Sequence, residues 1–394
     1  MLHCPWNIGG HPAMLAKCER ELGLHSHCLT LRGDAYGFAA DEVLFAGRMS
    51  SWRQEWQRLR LLCRALWNFD VIHFNFGQSL LEHATAPRLD FTRPWFTPYN
   101  ALVAYRYYFW MADLPLLRRL NKVVAMTFQG DDARQGDYCR VRFDISPAHE
   151  VDHYTAETDA YKRRAIRKVA ANADRVYALN PDLLHVLPPQ TRFLPYASVD
   201  PAEWRPPAGP ANEVPVVLHA PTHRGAKGTR HLLEAAEVLR REGVDFELLL
   251  VENLRRDEAR RLYERADLVV DQLLTGWYGG FAVEAMCLAK PVVCYIRDGD
   301  MAPLPQDLVA ELPIIRATPA TLGQVLRYWL APARRERLRE LGERSREFAE
   351  RWHDPKKIAA QTAGDYERLY AERRFRRRRP VPVSDGGWIR CGQK

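Results

Sequence analysis

No run of uncharged apolar residues in this chain approaches the roughly 18 positions needed to span a bilayer. The N-terminus, Met1-Leu2-His3-Cys4-Pro5-Trp6, lacks the charged-then-apolar layout of a secretory leader, so a cytoplasmic protein is expected. The eight cysteines (Cys4, Cys18, Cys28, Cys63, Cys139, Cys287, Cys294, Cys391) form no CxxC pair and no disulfide-like spacing. They read as reduced thiols, most of them in apolar segments, which argues against a structural zinc site. The dinucleotide fingerprint GxGxxG is also missing, which argues against a nicotinamide enzyme, and there is no internal repeat.

What is present is ample apolar material. At 394 residues, 47% of them hydrophobic, the chain exceeds the roughly 250–300 residues at which one core stops growing, so two domains are expected. Strand-like runs alternate with amphipathic helical stretches throughout, the pattern of parallel α/β domains. In the first half the strands are Val71 to Phe76, Lys122 to Phe128 and Arg175 to Leu179, with helices at His11 to Leu22 and Thr158 to Ala173. Pro201, Pro206, Pro207, Gly209, Pro210 and Pro215 then break the pattern. Alternation restarts with strands at Val214 to His219, Phe246 to Val251, Leu268 to Asp271 and Pro291 to Ile296, and helices at His231 to Glu242, Asp257 to Ala266 and Phe281 to Ala289. The expected division is therefore a first domain over 1–200, a Pro-rich linker over 201–215, and a second domain over 216–372 whose last helix is free to pack back on the first. A basic tail over 373–394 would follow.

Net charge is +8, and Arg373, Arg374, Arg376, Arg377, Arg378 and Arg379 supply a large share of it. This cluster fits either a solvated tail or attraction to an anionic membrane surface. No aromatics are interleaved with it, so specific nucleic-acid binding is not expected.

Three segments carry candidate chemistry. Gly9 and Gly10, in Asn7-Ile8-Gly9-Gly10-His11-Pro12, open the way for backbone N–H groups to meet an anion at a helix start, or form an ordinary tight turn. Arg224 and Lys227, between a strand and a helix, set a planar fork and a point charge among small residues, suited to one diphosphate or to a solvated basic loop. Tyr278, Gly279 and Gly280 precede a helix whose otherwise apolar start contains Glu284. A carboxylate buried there needs a partner: the local backbone, or the hydroxyls of a ribose or sugar.

Together these residues resemble the retaining GT-B glycosyltransferases, the group of glycogen-synthase-like and bacterial surface-polysaccharide enzymes (glycosyltransferase family four-like). The resemblance spans nearly the whole chain and is most specific at Ala266-Asp267-Leu268 and from Phe281 through Pro291. It implies a GT-B fold, two Rossmann-like βαβ domains facing each other across a cleft. It further implies a hexosyltransferase-like enzyme that moves sugar from a nucleotide-sugar donor to a glycan or lipid-linked acceptor, with no cofactor and no metal. By resemblance Arg224 and Lys227 hold the donor diphosphate, Tyr278-Gly279-Gly280 add backbone donors, Glu284 binds ribose, and Gly9 and Gly10 face the phosphate from across the cleft.

Two departures qualify that transfer. The family's second Glu, eight positions before the helix Glu, is replaced by Gly276. Its sugar-side His is replaced by Gln129, which hydrogen-bonds but does not titrate. Asp131 and Asp132 remain beside Gln129 to orient the acceptor, act as base, or cap the following turn. A sugar-nucleotide epimerase of the same fold, and a non-catalytic partner of an active transferase, are the competing readings.

Overall fold

The computed structural model describes residues 1–82, 97–208 and 212–378. Gly209 and Pro210 of the expected linker, Arg379 of the basic cluster and Cys391 lie outside them.

The first sheet has seven strands: β1 (Leu2–Cys4), β2 (His27–Thr30), β3 (Glu42–Val43), β4 (Val71–Asn75), β5 (Val123–Phe128), β6 (Arg175–Ala178) and β7 (Arg192–Phe193). Their spatial order is β3-β2-β1-β4-β5-β6-β7, with every pair parallel. The second sheet has five: β8 (Val216–His219), β9 (Glu247–Leu250), β10 (Leu268–Val270), β11 (Val292–Cys294) and β12 (Ile315–Arg316). Its order is β12-β11-β10-β8-β9, also all parallel.

Every residue of β4 and β5 is buried, which explains why both read as continuous apolar runs: a parallel sheet is covered by helices on both faces. The two-residue period then sorts the side chains. Ile72, Phe74, Val124, Met126 and Val176 enter one core, while Val71, Val123, Ala125 and Tyr177 enter the core on the other face. The second sheet divides in the same way, with Leu218, Val269 and Val292 on one side and Val217, Leu268 and Val293 on the other.

The final helix, Pro355–Arg378, crosses back to the first domain. Ile358, Ala359 and Tyr366 join Leu15 and Cys18 in its core. The Tyr366 hydroxyl meets His73 Nδ1 at 2.6 Å, and Tyr177 donates to Asp365 at 2.9 Å. Helical structure thus continues into the basic cluster, where Arg373 pairs with Asp174 at 2.6 Å. The start of the Pro-rich segment is likewise packed: Trp204 lies in the second domain's core, against Tyr263.

In each sheet the strand order reverses at one point, between β1 and β4 in the first and between β8 and β10 in the second. In open α/β sheets the crevice for a ligand lies at the carboxyl end of such a switch point. Here the loops leaving both switch points border one cleft.

Candidate active site

That cleft holds a cavity of about 460 Å³ lined from both domains. The first domain contributes Gly9, His11, Gln129, Asp131, Arg134 and Asn180. The second contributes Lys227, Glu252, Gln272, Gly279, Gly280 and Glu284.

After β1, Gly9 and Gly10 adopt consecutive left-handed conformations, φ +61° and +72°. A Cβ on Gly10 would sit 2.6 Å from the Phe38 ring, whereas one on Gly9 would meet nothing within 4 Å. Gly9 therefore borders the cavity, and Gly10 serves the packing of the turn. His11 follows; its Nδ1 accepts the Ala197 N–H at 3.0 Å, which leaves the proton on Nε2. Burial, helped by neighbouring His3, lowers its pKa to about 3, so the ring is neutral and its buried Nε2–H has no protein partner.

After β5 the turn Gln129 to Asp132 separates two roles. The Asp132 carboxylate accepts the backbone N–H groups of Gln129 (3.0 Å) and Gly130 (2.7 Å) and so caps the turn. Burial still raises its pKa to about 6. Asp132 is therefore a structural group, and the expectation of a direct catalytic part for it is revised. Asp131 reaches the cavity with 43% of its side chain exposed. Burial pushes its pKa up, but nearby His153, the Arg134 charge and the hydrogen bond from the Tyr154 hydroxyl outweigh that and hold it far below the usual carboxylate range. Such a group accepts hydrogen bonds well and is a poor proton acceptor. Buried Arg134 fixes it, donating to Asp131 and to Asp182, both at 2.7 Å. Gln129 donates its backbone N–H to Asp132, while its side-chain Nε2 is buried without a partner.

On the second domain's wall, Lys227 Nζ donates to Gln272 Oε1 at 2.6 Å and lies 3.5 Å from Asp271. Asp271 also accepts the Gly279 N–H at 2.6 Å, so the lysine and the glycine turn share one carboxylate. Arg224 departs from expectation. It opens the short helix Arg224–Lys227 as an exposed residue bound to Glu252 (Nε to Oε1 2.7 Å), and of the pair only Glu252 lines the cavity. Tyr278, expected to add a backbone donor, does not line the cavity: its ring is buried on Trp277 with centroids 4.7 Å apart, and its hydroxyl meets His353 at 2.9 Å. Its side chain is core, and only the backbone of this run borders the cleft, through Gly279 and Gly280.

Glu284 lines the cavity from the helix Gly280–Cys287. Burial raises its pKa, against the pull of Arg256, whose Nε donates to it at 2.9 Å. Arg256 is a site residue that sequence reasoning missed. Its guanidinium also bonds Ser198 O at 3.1 Å and lies over the rings of Phe38 and Trp204. The Ser198 hydroxyl, on the cavity wall, is buried without a partner. Three buried polar groups without a protein partner, on His11, Gln129 and Ser198, thus belong to residues that line one cleft, although no local motif distinguishes them in the sequence. Among the described residues no group of three or more His, Cys, Asp or Glu is arranged to hold a metal ion.

Two facing, doubly wound parallel domains with a single cleft at both switch points constitute the GT-B fold. Solved structures with this architecture align over most of the chain. Sucrose-phosphate synthase (tll1590) from Thermosynechococcus elongatus matches at TM-score 0.60 and 17% identity, covering 94% of this chain and 98% of its own. Anabaena Alr3699/HepE, solved in complex with UDP-glucose, matches at TM-score 0.58 and 13% identity, with 93% and 98% covered. A glycosyltransferase from Rickettsia africae ESF-5 matches at 0.55 and 12%, with 93% and 97% covered. No protein-family model matches the chain, and no curated protein matches it in sequence.

Proposed function

We propose that this protein is a glycosyltransferase that moves a sugar from a nucleotide-sugar donor to a glycan or lipid-linked acceptor. The observation that carries the reading is the cleft itself: Lys227, the Gly279-Gly280 helix start and the buried Glu284 line the second domain's wall, opposite Gly9 of the first. A cation beside a helix N-terminus suits a diphosphate, and a buried carboxylate suits ribose hydroxyls. The likeness in fold to Anabaena Alr3699/HepE, solved in complex with UDP-glucose, supports a nucleotide-sugar as the kind of ligand such a cleft takes.

In this reading Lys227 and Arg224 hold the diphosphate, Arg224 exchanging Glu252 for it. Glu284, steadied by Arg256, holds the ribose. His11, Gln129 and Ser198, on the cavity wall, would turn their unused hydrogen-bonding groups to the sugar, and Asp131 would orient the acceptor hydroxyl. The bond between the anomeric carbon and the phosphate oxygen breaks as the acceptor oxygen bonds that carbon. Attack from the leaving-group face, with the acceptor proton passing to the departing phosphate, would retain the anomeric configuration. The protein's own cations, with no metal, would then stabilise the leaving charge. An acceptor carried on lipid would bring the enzyme to the inner face of the membrane, where the arginines beyond Arg373 would add attraction.

Thermal shift with UDP-, GDP-, ADP- and dTDP-sugars, followed by mass analysis of products with candidate acceptors, tests the function. Lack of stabilisation by any of them at millimolar concentration would refute it. Lys227→Ala should weaken donor binding about ten- to a hundredfold, the worth of one charge-assisted contact of roughly 1.5–3 kcal/mol. Arg224→Ala should lose less, because Glu252 already competes for the guanidinium. Unchanged donor kinetics in both variants would remove the diphosphate assignment.

A further inference from the structure

The helix Ser51–Asn68 turns large apolar side chains outward. Trp52, Trp56 and Trp67 are 58%, 64% and 84% exposed, and Leu59 is 38% exposed. At about 100° per residue these four fall within an arc of roughly 80°. The opposite side carries Leu61, Leu62 and Ala65 into the first domain's core, so the outward stripe is surplus to folding. Beside it, the helix Pro98–Tyr108 ends at Tyr108 and Phe109, also exposed.

Within these two helices the outward charge has one sign. Glu55 is the sole acidic residue in either helix, and it is turned inward and buried, bonded to Arg58 at 3.2 Å and to Arg106 Nε at 2.9 Å. The Arg106 bond fastens the two helices to each other, and Arg58 also reaches Glu82 at 3.0 Å. Arg53 and Arg60 stay exposed along one edge of the tryptophan stripe.

We propose that this face docks the protein on an anionic lipid bilayer, with the Ser51–Asn68 helix lying in the headgroup region. Tryptophan and tyrosine favour that depth, where the ring is apolar and its N–H or O–H stays wet. An amphipathic helix with an arginine edge suits binding in the interface plane, and arginines are drawn to a negative leaflet. A second copy fits less well, since a two-fold contact would set the exposed arginines of this helix against themselves. Among the described residues no helix is long and apolar enough to cross a membrane, so attachment through them would be peripheral. The inference deepens the proposed function by bringing the protein to a lipid-borne acceptor, but docking itself does not depend on catalysis.

Flotation of the full chain with vesicles of phosphatidylcholine containing 30% phosphatidylglycerol tests it. The parent should float, and less at high salt or with phosphatidylcholine alone. The triple variant Trp52→Ser, Trp56→Ser, Trp67→Ser should bind at least tenfold more weakly, with nucleotide-induced thermal stabilisation unchanged. Arg53→Gln with Arg60→Gln should lose part of the salt dependence, while a chain ending at Glu372 should retain most of the binding. Hydrogen exchange on the parent supplies a readout free of variants: vesicles should protect residues 51–68. Flotation of the triple variant equal to the parent, or no protection of that helix, overturns the proposal. So does a tryptophan effect confined to self-association in sedimentation without vesicles. Docking without donor binding would refute the proposed function and leave this inference standing.

Discussion

Restoring the carboxylate that the family resemblance would place at position 276 should damage this protein. Gly276 has φ +89°, a conformation that other residues enter at a cost of about 1–3 kcal/mol. A Cβ there would lie 2.6 Å from Arg297 Nη1 and 3.1 Å from Arg297 Cβ, so the arginine must move. It is held by Asp300 at 2.7 Å, by Ile145 O at 2.8 Å and over the Phe143 ring at 3.7 Å, the last two on the first domain. Each charge-assisted bond is worth about 1.5–3 kcal/mol, and a new Glu–Arg297 pair would offset part of the loss. The expected net destabilisation of Gly276→Glu is therefore about 3–5 kcal/mol, a fall of roughly 10 °C in the midpoint of thermal unfolding. Denaturant and thermal unfolding of Gly276→Ala, Gly276→Glu and Gly276→Glu in an Arg297→Ala background separate the contributions. The alanine variant should lose about 2 kcal/mol, and the glutamate should cost only the backbone strain, about 1–3 kcal/mol, once Arg297 is gone. Because Arg297 links the domains, turnover should fall as well. A Gly276→Glu protein as stable as the parent and faster with the parent's best donor would refute this reasoning.

If Glu284 holds the ribose as proposed, Glu284→Gln should weaken binding of the free nucleoside diphosphate by about 1–3 kcal/mol, since it removes that charged acceptor and leaves Arg256 without its carboxylate. Calorimetry with nucleotide and with intact donor should give equal losses, and a loss seen only with the sugar attached would move Glu284 to the sugar side. Asp132 supplies a pH signature. Its pKa rises from 3.8 to about 6 on folding, so its contribution to stability is full below pH 4 and is lost as pH rises through 6. Two units at about 1.4 kcal/mol each set an upper bound near 3 kcal/mol. Asp132→Asn, which cannot ionise, should gain up to that amount relative to the parent between pH 4 and pH 7 in denaturant unfolding. A constant difference across the range would contradict it.

Buried parallel strands announce themselves because helices cover both faces: Val71 to Phe76 and Lys122 to Phe128 read as apolar runs, and the structure has strands there, each ending within a residue or two. The short strands β1, β2, β3, β7 and β12 were not legible. In β1, Leu2–Cys4, three residues carry no period, and their pairing with Ile72, His73 and Phe74 is a contact across the fold. The same limit governed the site. Glycines and a carboxylate in an apolar helix start are local oddities, so Gly9, Gly279, Gly280 and Glu284 could be found one by one in the sequence. Whether a side chain turns inward or outward is decided by what packs on it. Tertiary structure therefore put Tyr278 into the core and bound Arg224 to Glu252. It spent Asp132 on a turn and brought Arg256 from a distant helix to Glu284. The sequence by itself determined two α/β halves and the residues able to meet an anion. Only the folded chain decided which of them share a cleft, because strand order sets where the two switch points open and the returning helix Pro355–Arg378 joins one domain to the other.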